Sequence, residues 1–278
     1  MWFERRDHGH DLDRYVETFE EAGLIQLTEI LLKKVSGFFE VTDEVKSILA
    51  EICTELEEFD AGSVIVPQGG DYGDIYLLER GWVIRSRHLE NGARQIVNLA
   101  LPGDFVAMNA LLFATSDFEL SCKTDVAAYR LPADRLGAAL ARDAMMSAAL
   151  FWVNAHEESL LAERIVSLGR RPARQRTAHV LCELMARLEV IGISDPEKFF
   201  IPMSQEEFAD ILGISIVHTN KTLRAFERDG VISFRNSLLL VLDRRKLEQE
   251  AGFGNGYLQF TRRTDRNAWR PAQLDATM

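Results

Sequence analysis

The chain is short of cysteine, with only Cys53, Cys122 and Cys182 in 278 residues, far apart and odd in number. That excludes a disulfide framework and any local metal knuckle, and it reads as three buried thiols. Long apolar runs are missing as well: nothing approaches the roughly 20 residues of a membrane span. The opening stretch MWFERRDHGHDLDRY lacks the apolar core of a signal peptide, so the expected location is the cytoplasm. Histidine numbers six, and His88 alone falls in the stretch richest in strand signals. A jelly-roll metalloenzyme needs several converging ligands, so that class fails on ligand count. Positive charge is the largest deficit, the formal net being −11.

The deficit is uneven. Residues 170–278 carry 17 Lys+Arg against 14 Asp+Glu, a net of +3, which leaves −14 for residues 1–169. One part of the chain is suited to meet phosphates and the other is not. The length allows two domains, each with its own core.

In the basic part, Ser204–Gly230 reads as two short helices around a tight turn. Ser204 and Glu207 make a capping box, Phe208, Ala209, Ile211 and Leu212 give an apolar face, and Gly213 supplies a positive-φ stop. Ser215 caps the second helix, expected over 215–228, with Thr219, Thr222, Leu223 and Phe226 inward. Val217, Lys221, Arg224 and Arg228 lie on its outer face, flanked by His218 and Asn220. An ordinary helical hairpin with a solvated face shares this pattern. The sequel favours a helix-turn-helix: Val231–Phe234 and Leu238–Leu242 form a hairpin around Arg235-Asn236-Ser237, placed as a wing beside a DNA-reading helix.

Upstream, residues 1–28 form an acidic extension in which Asp7, His8, His10, Asp11 and Asp13 could hold a metal, but a solvated terminus is the preferred reading. Thr28–Lys34 and Asp43–Leu56 read as helices. Gly70, Gly81, Gly92 and Gly103 recur every eleven residues. Between and beyond them lie strand-forming runs at 63–66, 75–78, 82–87, 95–100, 118–122 and 127–131. Short strands with regular turns predict an antiparallel β-roll of jelly-roll type. Ala133–Leu168 reads as helix with a break near Arg142-Asp143. Its second part needs burial on two sides, the roll on one and a partner on the other. The expected homodimer seam is Met146, Leu150, Val153, Leu160 and Leu161, with the register open because Glu157 and Arg164 interrupt it. Gly169–Pro172 is a hinge, followed by a helix over 173–190 and a short strand at 199–201.

In sum the fold is α+β: extension 1–28, β-roll 29–142, dimerisation helix and hinge 143–169, winged helix-turn-helix 170–251, tail 252–278. The order roll, long helix, hinge and winged helix-turn-helix resembles the Crp–Fnr superfamily of bacterial transcription regulators over Leu31–Ala251. The most specific pieces are Pro102-Gly103-Asp104-Phe105, the stretch LGRRPARQRTAHVLCELMARL and Ser204–Gly230.

The resemblance implies a homodimer reading a two-fold symmetric operator in double-stranded DNA, with RNA polymerase as a further partner. Carried over by position, base reading falls on Ile216, Val217 and Lys221, with His218 and Asn220 beside them. Ile216 and Val217 can touch thymine methyls but cannot accept from cytosine, whereas Lys221 can donate to guanine. Candidate phosphate contacts are Ser215, Arg224 and Arg228 and the hinge arginines Arg170, Arg171, Arg174 and Arg176, with a plain solvated-face role open for each arginine singly.

On the effector side the chain departs from its relatives. Where cyclic-nucleotide binders carry a Gly-Glu pair and an arginine, residues 105–123 read FVAMNALLFATSDFELSCK. They hold no arginine, and Asp117 and Glu119 would repel a phosphate. Cyclic AMP or GMP is therefore not expected. Nor is haem or a metal: there is no N-terminal cysteine cluster, and the haem-ligand places fall on Ala107 and Asn109. His88 and His156 stand alone. No cofactor is expected, and the effector is left unassigned. Control by oxidation of Cys182 is one alternative to a ligand, and a roll whose helix-turn-helix serves protein contacts is the alternative to DNA reading.

Overall fold

A computed structural model describes residue 34 and residues 43–53, 55–192, 198–235 and 238–258. Residues 1–28 with their Asp/His group, most of the expected helix 28–34, Asn236-Ser237 of the wing turn, and the tail past 258 lie outside the described residues.

The first unit is a roll of two four-stranded antiparallel sheets. Its strands are β1 (Glu55–Phe59), β2 (Val64–Val66), β3 (Ile75–Arg80), β4 (Val83–His88), β5 (Arg94–Ala100), β6 (Phe105–Val106), β7 (Glu119–Cys122) and β8 (Val126–Leu131). One sheet runs β1-β8-β3-β6 and the other β2-β7-β4-β5. Glycine is required at Gly81, where φ is +92° and a Cβ would lie 2.3 Å from the Asp125 carbonyl oxygen. Helix α1 (Asp43–Ile52) ends earlier than the expected 43–56. Leu56 and its neighbours pair with β8 instead, Leu56 opposite Tyr129; strand pairing overrides a local pattern that fits either structure.

Alternation sorts each strand between two cores. Leu78, Val83, Leu120, Cys122 and Val126 point between the sheets. Ile75 and Leu77, on the other side of β3, pack under α1, α2 (Ala133–Arg142) and the start of α3 (Ala144–Arg170). Asp143 separates α2 from α3 and caps the latter, accepting from the Met146 amide at 2.6 Å.

The second unit holds α4 (Ala173–Ile191), β9 (Lys198–Phe200), α5 (Gln205–Leu212), α6 (Ile216–Arg228), β10 (Ile232–Arg235), β11 (Leu238–Val241) and α7 (Arg244–Ala251). β10, β11 and β9 form one antiparallel sheet, which is the wing. A 3₁₀ turn, Asn255–Leu258, closes the described chain. This unit is docked on the outer face of β4–β5: Trp82, Ile84, Ile96, Leu99 and Leu101 share one core with α4, Phe208, Leu212 and Phe226.

The long helix corrects the expected dimer seam. Met146, Leu150 and Leu160 are buried inside the chain. Val153 packs partly buried against the α1/α2 cluster, and Leu161 is half-buried. Helices α1 and α2 cover Met146, Leu150 and Val153, and Leu160 lines a cavity against the roll. The bare face is another one: Phe151 is 77% exposed and Ile165 71%, with Val166 beside them and Glu158 and Ala162 between.

All three thiols are buried, and burial pushes them up, Cys53 and Cys122 to about 11 and Cys182 to about 12. Oxidative control through Cys182 is thereby disfavoured. No single described helix is long and apolar enough to cross a membrane.

Candidate nucleic-acid interface

Helix α6 is positioned by local chemistry at both ends. Ser204 Oγ accepts from the Glu207 amide at 3.1 Å while the Glu207 carboxylate accepts from the Ser204 amide at 2.7 Å, completing the capping box of α5. Gly213 ends α5 at φ +61°, where a Cβ would stand 3.1 Å from the Leu168 side chain. Ser215 Oγ accepts from the His218 amide at 3.3 Å and starts α6. Thr219 and Thr222 are buried, their hydroxyls donating to the carbonyls of Ser215 and His218 at 3.2 and 2.9 Å. With Leu223 and Phe226 they form the inward face of the helix.

The outward face carries Ile216, Val217, His218, Lys221, Arg224 and Arg228, all exposed. Ser215 is exposed at its tip, and Asn220 is half-buried, with its Oδ1 shut away from solvent. The acids near this face are engaged elsewhere. Glu227 accepts from the Phe234 amide of the wing at 3.1 Å, and Asp229 pairs with Arg174 at 2.7 Å. The net result is a cationic strip with two apolar side chains at its leading end.

Three of the four hinge arginines are not at this surface's disposal, which corrects the expected phosphate set. Arg174 pairs with Glu250 at 2.5 Å and Asp229 at 2.7 Å, and its guanidinium lies 4.2 Å over the Phe226 ring. Arg171 pairs with Glu163 at 2.5 Å. Arg176 donates to the carbonyls of Ser167, Leu168 and Arg171 at 3.1, 2.9 and 3.1 Å, and also to that of Leu212. It staples the end of α3 to the end of α5. Arg170 is exposed.

A second feature lies where roll, long helix and docked domain meet. A cavity of about 80 Å³ is lined by Arg85, Asn98, Asp104, His156, Glu157 and Arg187 together with apolar side chains of β4 to β7. Arg85 and Glu157 pair across it at 2.7 Å. Asp104 accepts from Arg187 at 3.0 Å and from Lys34 at 2.7 Å, and Arg187 also donates to the Leu99 carbonyl at 2.7 Å. Burial opposes the Asp104 charge, but the Lys34 ammonium and Arg187 guanidinium together outweigh it and hold the carboxyl below the usual range. His156 is pushed down to about 4, chiefly by burial and then by Arg187. Ala107, on the cavity wall, has φ +63°, the single left-handed non-glycine among the described residues. Such a backbone costs about 1 kcal/mol. None of the inward groups Asp104, His156 or Arg187 was read as part of a site; the Pro102–Phe105 turn was the one local signal.

Comparison with known proteins adds the family. Residues 56–143 match the family model described as the cyclic nucleotide-binding domain, and residues 175–250 match the Crp-like helix-turn-helix domain. Among curated relatives, the chain is 26% identical over 198 residues to the transcriptional activator protein FnrL of Cereibacter sphaeroides, covering 70% of this chain and 79% of that one. It is 28% identical over 191 residues to the nitrogen fixation regulation protein FixK of Bradyrhizobium diazoefficiens, covering 68% and 79%. The solved structure of FixK2 from Bradyrhizobium japonicum superposes with a TM-score of 0.66 at 20% identity, over 72% of this chain and 98% of that chain.

The first of these domain names implies a cyclic nucleotide, and the residues present do not fit one. The cavity is far below the roughly 300 Å³ at which pockets for ligands of that size begin. Its polar wall is already closed by the Arg85–Glu157 and Asp104–Arg187 pairs. The fold is kept and the nucleotide site is not. With both domains matched in their proper order around a long helix, the chain belongs to the Crp–Fnr superfamily of DNA-binding transcription regulators.

Proposed function

We propose that two copies of the chain, paired along α3, lay their α6 helices into successive major-groove faces of a roughly palindromic operator. The observation that carries this is the outer face of α6: Lys221, Arg224 and Arg228 stand exposed while the neighbouring acids Glu227 and Asp229 are tied to the wing and to Arg174. Lys221, with Ile216, Val217 and His218, faces the base edges. Ser215, Arg224, Arg228 and Arg170 serve the phosphates, which position the helix without reading sequence. Asn220 contributes less than its place in the sequence suggests, being half-buried.

The pairing surface is the bare side of α3. Phe151, Glu158, Ala162 and Ile165 recur along it at the spacing of a coiled-coil seam, with Val166 on its flank. The protein acts in the cytoplasm. Relatives named as transcriptional activators support RNA polymerase as a further partner.

Selection of bound duplexes from a random pool at moderate salt tests the reading. The expected product is an enriched site with two half-sites about 10–10.5 base pairs apart, centre to centre. A pool that stays random through repeated rounds would refute it.

A further inference from the structure

Past α7 the chain leaves the helix-turn-helix domain and turns back onto the long helix. Gly252 ends α7 at φ +56°, and the Phe253 amide donates to the Glu248 carbonyl at 3.0 Å, which turns the chain out of the helix. The 3₁₀ turn Asn255–Leu258 then lies against α3, with Leu258 fully buried. All of this lies beyond residue 250, where the Crp-like domain ends.

The turn lands where α3 and α4 are fastened to each other across the Gly169–Pro172 hinge. Arg164 of α3 donates to Glu183 of α4 at 2.9 Å, and Glu163 of α3 stands 3.1 Å from His179 of α4. Tyr257 covers both fastenings. Its hydroxyl donates to the second Glu183 oxygen at 3.2 Å, and its ring stacks on His179 with centroids 5.7 Å apart. Phe253 meets the same imidazole edge-on at 5.4 Å. Glu183 and His179 are 1% and 2% exposed, so lifting Tyr257 takes a donor from a buried carboxylate and lets water reach both contacts. Between these anchors the chain is lightly held. Gly254 and Gly256 are exposed, and a Cβ at either would meet nothing within 4 Å. Glycine at both places raises the entropy lost when the segment is ordered.

We propose that residues 253–258 are a releasable strap across the hinge, which holds α4 and the DNA-binding domain at one setting against α3, with Tyr257 as the positioning residue. The strap must lift before the hinge opens. The core of the domain, formed by α4 to α7 and the wing, stays closed when it does. The setting of α4 on α3 exists in the free chain, so the strap does not depend on whether α6 reads DNA.

The test is hydrogen exchange of the full chain without DNA, followed by mass spectrometry at three places: the end of α3 with the hinge (164–171), α6 with the wing, and β3 with β8. Tyr257→Ala should quicken exchange at 164–171 about tenfold and leave the other two places as in the parent. Tyr257→Phe keeps the ring and loses the donor, so its effect at 164–171 should be smaller, about threefold. Gly254→Ala together with Gly256→Ala restricts the released strap and should slow exchange at 164–171 about threefold. That pair favours the ordered form, so it decides the matter should Tyr257→Ala fail to fold. Quickening of α6 and the wing by the same factor as 164–171 would make the segment an ordinary part of the domain core and overturn the proposal. So would exchange at 164–171 that responds neither to Tyr257→Ala nor to the paired glycine replacements.

Discussion

Arg94, at the start of β5 in the roll, meets Asp210 on α5 of the DNA-binding domain at 2.7 Å, although 116 residues separate them. Gln95 adds a donor to the Asp210 carbonyl at 2.6 Å, and Lys123 reaches the capping-box carboxylate of Glu207 at 2.9 Å. The roll thus grips the helix that positions α6. Asp210→Ala removes the ion pair and leaves the backbone contact. A partly buried pair of this kind is worth about 1 kcal/mol, so amide exchange in α5 and α6 should quicken about fivefold while that of β3 and β8 is unchanged. Hydrogen exchange followed by mass spectrometry reads both; equal protection in variant and parent would show that the pair carries no docking energy.

Lys221 and Arg224 are both exposed on α6, but their expected effects on DNA differ in kind. Lys221→Ala should relax or erase preference at one position of each half-site, at about 1–3 kcal/mol for the lost base contact. Arg224→Ala should weaken all duplexes alike and reduce the slope of log affinity against log salt by about one. Titrations at several salt concentrations, on selected and scrambled sites, separate the two. An unchanged preference after Lys221→Ala removes that residue from the readout.

Arg174 is a structural residue where the sequence offered a phosphate contact. Its two carboxylate partners and its seat over Phe226 couple α4, α6 and α7. Arg174→Ala should cost about 1–2 kcal/mol of stability, visible in urea unfolding without DNA. Arg174→Lys should not restore it, since an ammonium cannot make the forked contact with Glu250. Arg170→Ala should leave unfolding unchanged and lower DNA affinity only.

The contrast between α6 and the hinge shows what the sequence made legible. Caps and glycine stops act within four residues, so Ser204, Glu207, Gly213, Ser215 and the inward set Thr219, Thr222, Leu223 and Phe226 could be read directly. The strand runs of the roll were legible for a similar reason, their glycine turns being local. A guanidinium near a hinge looks the same in one dimension whether it faces a phosphate or a carboxylate. The partner that settles Arg174 is Glu250, 76 residues on. Asp104 and Arg187 are 83 residues apart, and nothing local couples them. Periodicity likewise marked the faces of α3 but not which cover belongs to which face.

The bare face of α3 gives the assembly a direct test. Phe151→Asp or Ile165→Asp should yield a monomer by light scattering, with the unfolding of each chain little changed, because both side chains are more than two-thirds exposed. Leu160→Ala should do the opposite. It empties a buried site inside the chain at about 2–5 kcal/mol and leaves the seam intact. If Phe151→Asp and Ile165→Asp both remain dimers, the copies pair elsewhere.

Acid sensitivity follows from two buried histidines. His179 is pushed down to about 4, burial first and Arg171 next, against the opposing pull of Glu183 and Glu163. Its Nε2 stands 3.1 Å from the Glu163 carboxylate, a distance at which a neutral imidazole donates its N–H, and the ring stacks on Tyr257. Burial outweighs the carboxylates, so this contact is a hydrogen bond and not an ion pair at neutral pH. His156 is pushed down to about the same value. Unfolding frees both to titrate near the ordinary histidine value of about 6.5. Between that value and about 4 the unfolded chain binds more protons than the folded one. Their contribution is therefore complete above about pH 6.5 and is lost progressively as the pH falls toward 4, at up to about 1.4 kcal/mol per pH unit for each histidine. His179→Gln keeps a donor for Glu163 but cannot titrate, so it should halve the slope of unfolding free energy against pH in that window. Urea unfolding at half-unit steps from pH 7 to 4.5 measures the slope, and an identical slope in parent and His179→Gln would mean that His179 is already charged in the folded chain.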